Sequence, residues 1–124
     1  MVLSAHEDKL YALMRITVGF AFLWHGTQKL LGFPPMQMEM NPVLYTAGAI
    51  ELVGGVLVMI GLFGAWAAFL CSGTMAAAYW MAHGMNGLLP IQNGGELAFV
   101  YCFAFLFIAA RGSGIWTVDA ARGA

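Results

Sequence analysis

His25 and Lys29 lie four residues apart, near the end of the first long apolar stretch of the sequence. An imidazole can exchange a proton near neutral pH, and an ammonium group can donate three hydrogen bonds. Glu51 lies inside the second apolar stretch, between Ile50 and Leu52. Because a charged group among apolar residues needs a partner, we expect Glu51 to pair with one of the two bases.

Two further ionisable residues follow, His83 at the end of the third apolar stretch and Glu96 at the start of the fourth. We expect either histidine to donate to one of the two carboxylates, with Asn93 among the residues that complete the hydrogen bonding. Aromatic walls are expected from Trp24, Tyr79 and Trp80. The candidate binding residues are His25, Gln28, Lys29, Glu51, Tyr79, His83 and Glu96.

Plainer roles stay open for three of these candidates. Glu96 fits an ordinary acid in the first turn of a helix, where the helix dipole favours negative charge. His83 fits a solvated residue at a membrane interface. Lys29 fits a side chain that extends to the lipid headgroups.

The composition indicates a membrane protein. Hydrophobic residues make up 61% of the 124 residues and charged residues 9%, with a mean hydropathy of +0.80. A soluble domain carries roughly a quarter charged residues. The net charge of −1 and the absence of a basic patch argue against a nucleic-acid partner.

The apolar runs predict four membrane-spanning helices, because a span takes roughly 20 residues. Pro34, Pro35 and Pro42 interrupt the chain after the first run, and Gly64 is expected to form a very short turn between the second and third. The sequence therefore predicts one all-α domain over residues 1–124, an integral membrane four-helix bundle. The predicted helices span about residues 10–32, 43–63, 65–83 and 95–111.

The few basic residues predict the orientation. Lys9 and Arg15 lie in the first part of the chain, Arg111 and Arg122 in the last, and basic residues favour the cytoplasmic side. Both termini are expected inside, which places the candidate binding residues near the outer face. Arg15 lies toward the inner face, where we expect it to extend to the headgroups or to hold a lipid phosphate. No signal-peptide cleavage site follows the first run, so the first helix is expected to remain in the mature protein.

Small residues at regular spacing predict close contacts between helices. A short pattern also recurs, since "WHG" and "AHG" each end an outward helix and Glu-Leu follows on the returning helix. This pattern indicates two related helical hairpins. The expected contact residues are Gly19 with Gly26, Gly48 with Gly55, and Gly73 with Ala77.

Neither a dithiol nor a metal site is predicted. Cys71 and Cys102 stand alone in apolar runs, without a C-x-x-C pair, which is typical of packing residues. His25 and His83 are far apart in sequence and no thiolate pair accompanies them, so no metal is expected.

These motifs together resemble the DoxX family of small bacterial membrane proteins, over about residues 10 to 120. The segments are "LMRITVGFAFLWHGTQKLLGF", "GAIELVGGVLVMIGLF", "MAAAYWMAH" and "NGGELAFVYCFAFLFIAARGSGIWTVD". The family's motif residues fall here on Arg15, Gly19, His25, Gly26, Lys29, Gly48, Glu51, Gly54 and Gly55.

The resemblance implies four transmembrane helices in the bacterial cytoplasmic (inner) membrane and a link to quinone-coupled oxidoreductases. The family takes its name from a subunit of an archaeal terminal quinol oxidase complex. We therefore expect a membrane subunit of a quinone-linked redox complex rather than a complete enzyme. The cofactor stays open, with a quinone as the candidate. A scaffold that docks a soluble redox enzyme and a small-solute carrier are the alternatives, and a homo-oligomer is compatible with each.

Overall fold

Four long helices dominate the computed structural model, which describes residues 2–123. They are α1 (Glu7–Leu31), α2 (Pro42–Ile60), α3 (Gly64–Ala78) and α5 (Glu96–Arg111). The short helices are α4 (Pro90–Asn93) and α6 (Val118–Ala121), with 3₁₀ turns at Ser4–His6 and Gly84–Asn86. The α3 helix continues directly into a π-helical turn, Tyr79–His83. Residues 2–123 contain helices and no strands, which confirms the all-α prediction.

Local sequence signals explain the ends of the long helices. Gly32 ends α1 in the left-handed conformation, with φ of 71°. The Asn41 side chain accepts a hydrogen bond from the Leu44 N–H at 2.9 Å, and Pro42 occupies the first position of α2. An Asn cap followed by proline is a favourable helix start, because proline needs no partner for the N–H that it lacks.

The turn between α2 and α3 differs from the prediction. It covers residues 61–63, with Gly61 in the left-handed conformation, and Gly64 is already the first residue of α3. Gly64 is needed for a different reason, since a Cβ there would collide with the Ser113 side chain. Close approach of the C-terminal tail, which the sequence does not reveal, therefore requires this glycine.

Two helical pairs and their shared core form the bundle. The α1 helix packs mainly on α2, and α3 packs mainly on α5, while α2 and α3 join the two pairs. Phe22 from α1 contacts Tyr101 and Phe105 from α5, with ring centroids 5.0 Å and 4.6 Å apart. These aromatic contacts fill the centre of the bundle.

Glycines set the close contact between α1 and α2, as predicted. A Cβ on Gly19 would lie 2.7 Å from the Gly55 carbonyl oxygen, and a Cβ on Gly26 would lie 2.7 Å from the Gly48 carbonyl oxygen. The predicted contact at Gly73 is wrong, because nothing lies within 4 Å of a Cβ placed there. Gly73 lies on the exposed side of α3.

By length and composition, one helix within residues 2–123 qualifies as a membrane span, namely α2 (Pro42–Ile60).

Candidate functional site

The expected ion pair between Lys29 and Glu51 is present where α1 and α2 approach most closely. Lys29 Nζ donates to Glu51 Oε1 at 2.7 Å, and the two side chains are 13% and 3% exposed. Gly48 makes room for the lysine, since a Cβ on Gly48 would lie 2.8 Å from the Lys29 Cβ. The glycine contact therefore brings the two charges together in a largely apolar environment.

A cavity of about 210 Å³ lies beside this ion pair, among α1, α2, α3 and α5. We call it the polar cavity. Four of the predicted binding residues line it, two from α1, one from α2 and one from the π-helical turn. Its lining comprises His25, Lys29, Glu51 and His83, together with Met75, Ala78, Gly94, Leu97, Ala98 and Tyr101.

The two histidines line the polar cavity but do not pair with a carboxylate, contrary to the prediction. His25 packs edge-on against Tyr101, with ring centroids 5.9 Å apart. His83 Nδ1 lies 3.3 Å from the backbone oxygen of Asn93. Within residues 2–123, neither ring hydrogen-bonds to Glu51 or Glu96, because both imidazoles are turned toward other neighbours.

The remaining predicted residues lie outside the polar cavity. Tyr79 accepts a hydrogen bond from Asn93 Nδ2 at 2.8 Å, and Asn93 Oδ1 accepts one from the Gly95 N–H at 2.8 Å. This network orders the segment before α5. Glu96 is exposed in the first turn of α5, and Gln28 faces a separate shallow pocket beside the 32–41 loop.

The predicted aromatic walls are also wrong. Trp24 and Trp80 are 37% and 63% exposed and do not line the polar cavity. Tyr101 takes that role and was missed from the sequence. It lies in a continuous apolar run, and its only signal is a phenol hydroxyl in an otherwise apolar helix.

A second cavity of about 450 Å³ opens between α2 and α3, and we call it the apolar groove. Its walls come from α1, α2, α3 and the π-helical turn. The lining residues are Lys29 on α1, Pro42, Val43, Leu44, Thr46, Ala47, Ile50 and Glu51 on α2, Thr74, Ala77 and Ala78 on α3, and Met81 and Ala82 in the π-helical turn. Lys29, Glu51 and Ala78 line both the apolar groove and the polar cavity. The ion pair therefore stands between an apolar compartment and a polar one.

Arg15 lies at the opposite end of the bundle, and the expectation that it reaches lipid headgroups is wrong. Its side chain is completely buried. Nη1 donates to the carbonyl oxygens of Val58 and Met59 at 2.8 Å and 2.7 Å. Nη2 donates to those of Ile115 and Trp116 at 3.2 Å and 3.1 Å. Arg15 therefore ties the end of α2 to the C-terminal tail, and cannot contact lipid phosphate.

The polar cavity offers unused hydrogen-bonding capacity. The only partner of Lys29 Nζ within residues 2–123 is Glu51, although an ammonium group carries three donors. The two histidines add ring nitrogens, and Tyr101 adds a hydroxyl. Residues 2–123 bring together no group of three or more metal-ligating side chains. The cavity therefore presents unused hydrogen-bond donors and acceptors of a kind that a small polar group requires.

Comparison with known proteins gives a family and a relative. The sequence model of the family described as DoxX matches residues 10–84, more than half of the chain. A relative from Haemophilus influenzae, named "Uncharacterized protein", is 41% identical over 125 residues, covering 94% of this chain and 93% of the relative. No solved structure shows a significant match.

Proposed function

Because this chain belongs to the DoxX family, we propose that it is the membrane subunit of a quinone-linked redox complex, with the quinone headgroup in the polar cavity. The observation that carries the proposal is the buried Lys29–Glu51 pair, which lines a cavity together with two histidines. In this proposal Lys29 donates to one quinone oxygen, and Glu51 and His25 exchange protons with the quinone oxygens. A carboxylate or an imidazole can take this role near neutral pH when its surroundings adjust its proton affinity.

We propose that all four long helices cross the membrane, although only α2 within residues 2–123 qualifies as a span by length and composition. The α1 helix has 25 residues and α2 has 19. The 15 residues of α3 run on into the five of the π-helical turn, and α5 has 16. Helices of this kind satisfy their own backbone hydrogen bonds in lipid.

The positions of the helix ends support a common side for both termini. Arg111 at the end of α5 pairs with Glu7 and Asp8 at the start of α1, and Asp119 of α6 binds the backbone of the α2–α3 turn. Lys9, Arg111 and Arg122 supply positive charge in these segments. By the distribution of basic residues, these segments face the cytoplasm. The polar cavity then lies toward the outer face of a multi-pass protein in the bacterial inner membrane.

The proposed reaction needs a partner. Reduction of a quinone to a quinol takes two electrons and two protons. Residues of the polar cavity exchange the protons, and a soluble redox enzyme that docks to the membrane subunit supplies the electrons.

The proposal is tested by titrating the purified protein in lipid nanodiscs with a quinone analogue. Glu51→Gln and Lys29→Met are each expected to weaken binding at least tenfold, because each removes one charge of the pair. The matched controls are Glu96→Gln and Lys9→Met, which change exposed residues outside the polar cavity. Both are expected to bind within twofold of the parent protein.

Two results would contradict this function. One is an absence of quinone binding by the folded parent protein. The other is unchanged affinity in both Glu51→Gln and Lys29→Met, which would mean that the ion pair is purely structural.

A further inference from the structure

We infer that the ligand of this site is amphipathic, with an apolar tail in the apolar groove between α2 and α3 and a polar head at the Lys29–Glu51 pair. The inference rests on the proposed function and adds where the tail of the bound molecule lies. It identifies the ligand class as a ring with a long hydrocarbon substituent rather than a small polar solute.

The chemistry of the groove supports a hydrocarbon occupant. Besides the ion pair, its polar side chains are Thr46 and Thr74. Both hydroxyls already donate within their own helices, Thr46 to the Pro42 oxygen and Thr74 to the Leu70 oxygen, each at 2.8 Å. The walls along the groove therefore offer no unused hydroxyl donor, and the unused donors lie at the Lys29 end.

The adjacency of the two compartments supports one ligand that reaches both. Lys29, Glu51 and Ala78 line the apolar groove and the polar cavity alike. The apolar groove is about 450 Å³ and the polar cavity about 210 Å³. A molecule whose tail is larger than its head matches these volumes.

The groove determines where the tail lies but adds little to the binding affinity of the ligand. An apolar tail that leaves the acyl chains of a bilayer for an apolar protein groove gains little free energy, because both surroundings are equally apolar. A side chain that fills the groove overlaps the tail, and because the tail is bonded to the ring, this overlap also displaces the ring from the Lys29–Glu51 pair. A ring without a tail occupies only the polar cavity, so it is not affected.

The experiment compares a decyl-substituted benzoquinone with the same ring lacking the decyl chain, by equilibrium titration of the full chain in nanodiscs. Ala47→Phe fills the groove from α2, and Thr74→Leu fills it from α3. The matched controls are Ala49→Phe, which is exposed on α2, and Gly73→Leu, where nothing lies within 4 Å of an added Cβ. Neither control residue lines the groove.

Both groove variants are expected to bind the tailed quinone at least tenfold more weakly than the parent does. Their affinity for the tail-less ring should stay within twofold of the parent's. Both controls should bind each probe as the parent does. Unchanged binding of the tailed quinone to the folded groove variants would overturn the inference, and so would an equal loss of both probes. The proposed function would survive either result if Glu51→Gln still weakened the tail-less ring, whereas it fails if the parent binds neither probe.

Discussion

Replacement of Arg15 by methionine is expected to destabilise the protein by about 3 kcal/mol, although no acidic side chain within residues 2–123 pairs with this arginine. Met is similar in length, so the change removes chiefly the guanidinium group. The carbonyl of Val58 retains a hydrogen bond from the Gly61 N–H at 3.2 Å. The carbonyls of Met59, Ile115 and Trp116 each lose the donor that Arg15 supplies.

The magnitude follows from these three acceptors. A buried acceptor left without a donor costs about 1–3 kcal/mol. All three of these bonds are only part-buried, and Trp116 is exposed, so the tail segment can shift toward water. Removal of the buried positive charge also recovers some desolvation free energy. The lower end of the range for each acceptor therefore gives a total of about 3 kcal/mol.

Arg111→Met provides the matched control at the same end of the bundle. Arg111 pairs with Glu7 and Asp8, whose side chains are 66% and 73% exposed. Exposed ion pairs contribute only about 0–1 kcal/mol each, because water and salt screen them. Arg111→Met is therefore expected to cost about 1 kcal/mol, clearly less than Arg15→Met.

The assay combines unfolding in one detergent with protease accessibility of the tail. Arg15→Met should unfold at a lower temperature than Arg111→Met, and trypsin should cleave after Arg122 faster than in the parent. Arg15→Lys keeps the charge but cannot span both pairs of carbonyls, so it should release the tail with a smaller loss of stability. Equal or greater destabilisation by Arg111→Met would refute the reasoning, as would a tail fully protected in Arg15→Lys.

Two other predictions concern packing and pH. Gly26→Ala should destabilise the bundle by about 1–3 kcal/mol in the same unfolding assay, because the new methyl group overlaps the backbone of α2. Gly73→Ala, the control, should be neutral or slightly stabilising. Equal effects of the two substitutions on stability would contradict the close contact between α1 and α2. The pKa of Asp119 lies below its ordinary value of 3.8, chiefly because its carboxylate accepts the Phe63 N–H, with further bonds from the Gly64 N–H and the Ser113 hydroxyl. The stability that Asp119 contributes is therefore fully present above pH 3.8 and lost as the pH falls through the folded pKa. Asp119→Asn should show a smaller loss of stability below pH 4 than the parent in a pH series of melts, and parallel curves would rule this out.

The sequence predicts positions along the bundle axis better than directions around each helix. Counting residues places Lys29 and Glu51 at similar depth, and the cost of an isolated charge among apolar residues then requires them to pair. Depth does not determine which side of a helix faces inward. Trp24 lies near His25 in sequence yet points outward, and Tyr101, hidden in an apolar run, reaches the polar cavity.

Contacts with the backbone, or with segments distant in sequence, could not be predicted from residue types. Arg15 is held by four backbone carbonyls, and every residue has a carbonyl, so no acid or amide in the sequence identifies them. Gly64 is a second example, because its sequence context indicates only a turn residue. Its real constraint is the nearby Ser113 of the tail, 49 residues away in sequence.

The two buried basic residues differ in how much of their hydrogen-bonding capacity the protein itself uses, and this difference separates structure from function. Both terminal nitrogens of Arg15 donate to backbone carbonyls. Its Nε is the one buried side-chain nitrogen or oxygen within residues 2–123 that lacks a partner. Its terminal nitrogens therefore leave no donor for a ligand. Lys29 makes one bond, to Glu51, and lines both the apolar groove and the polar cavity. Because a desolvated ion pair with unused donors can stabilise a polar head beside an apolar groove, we propose ligand binding at Lys29 and Glu51 rather than at the more deeply buried Arg15.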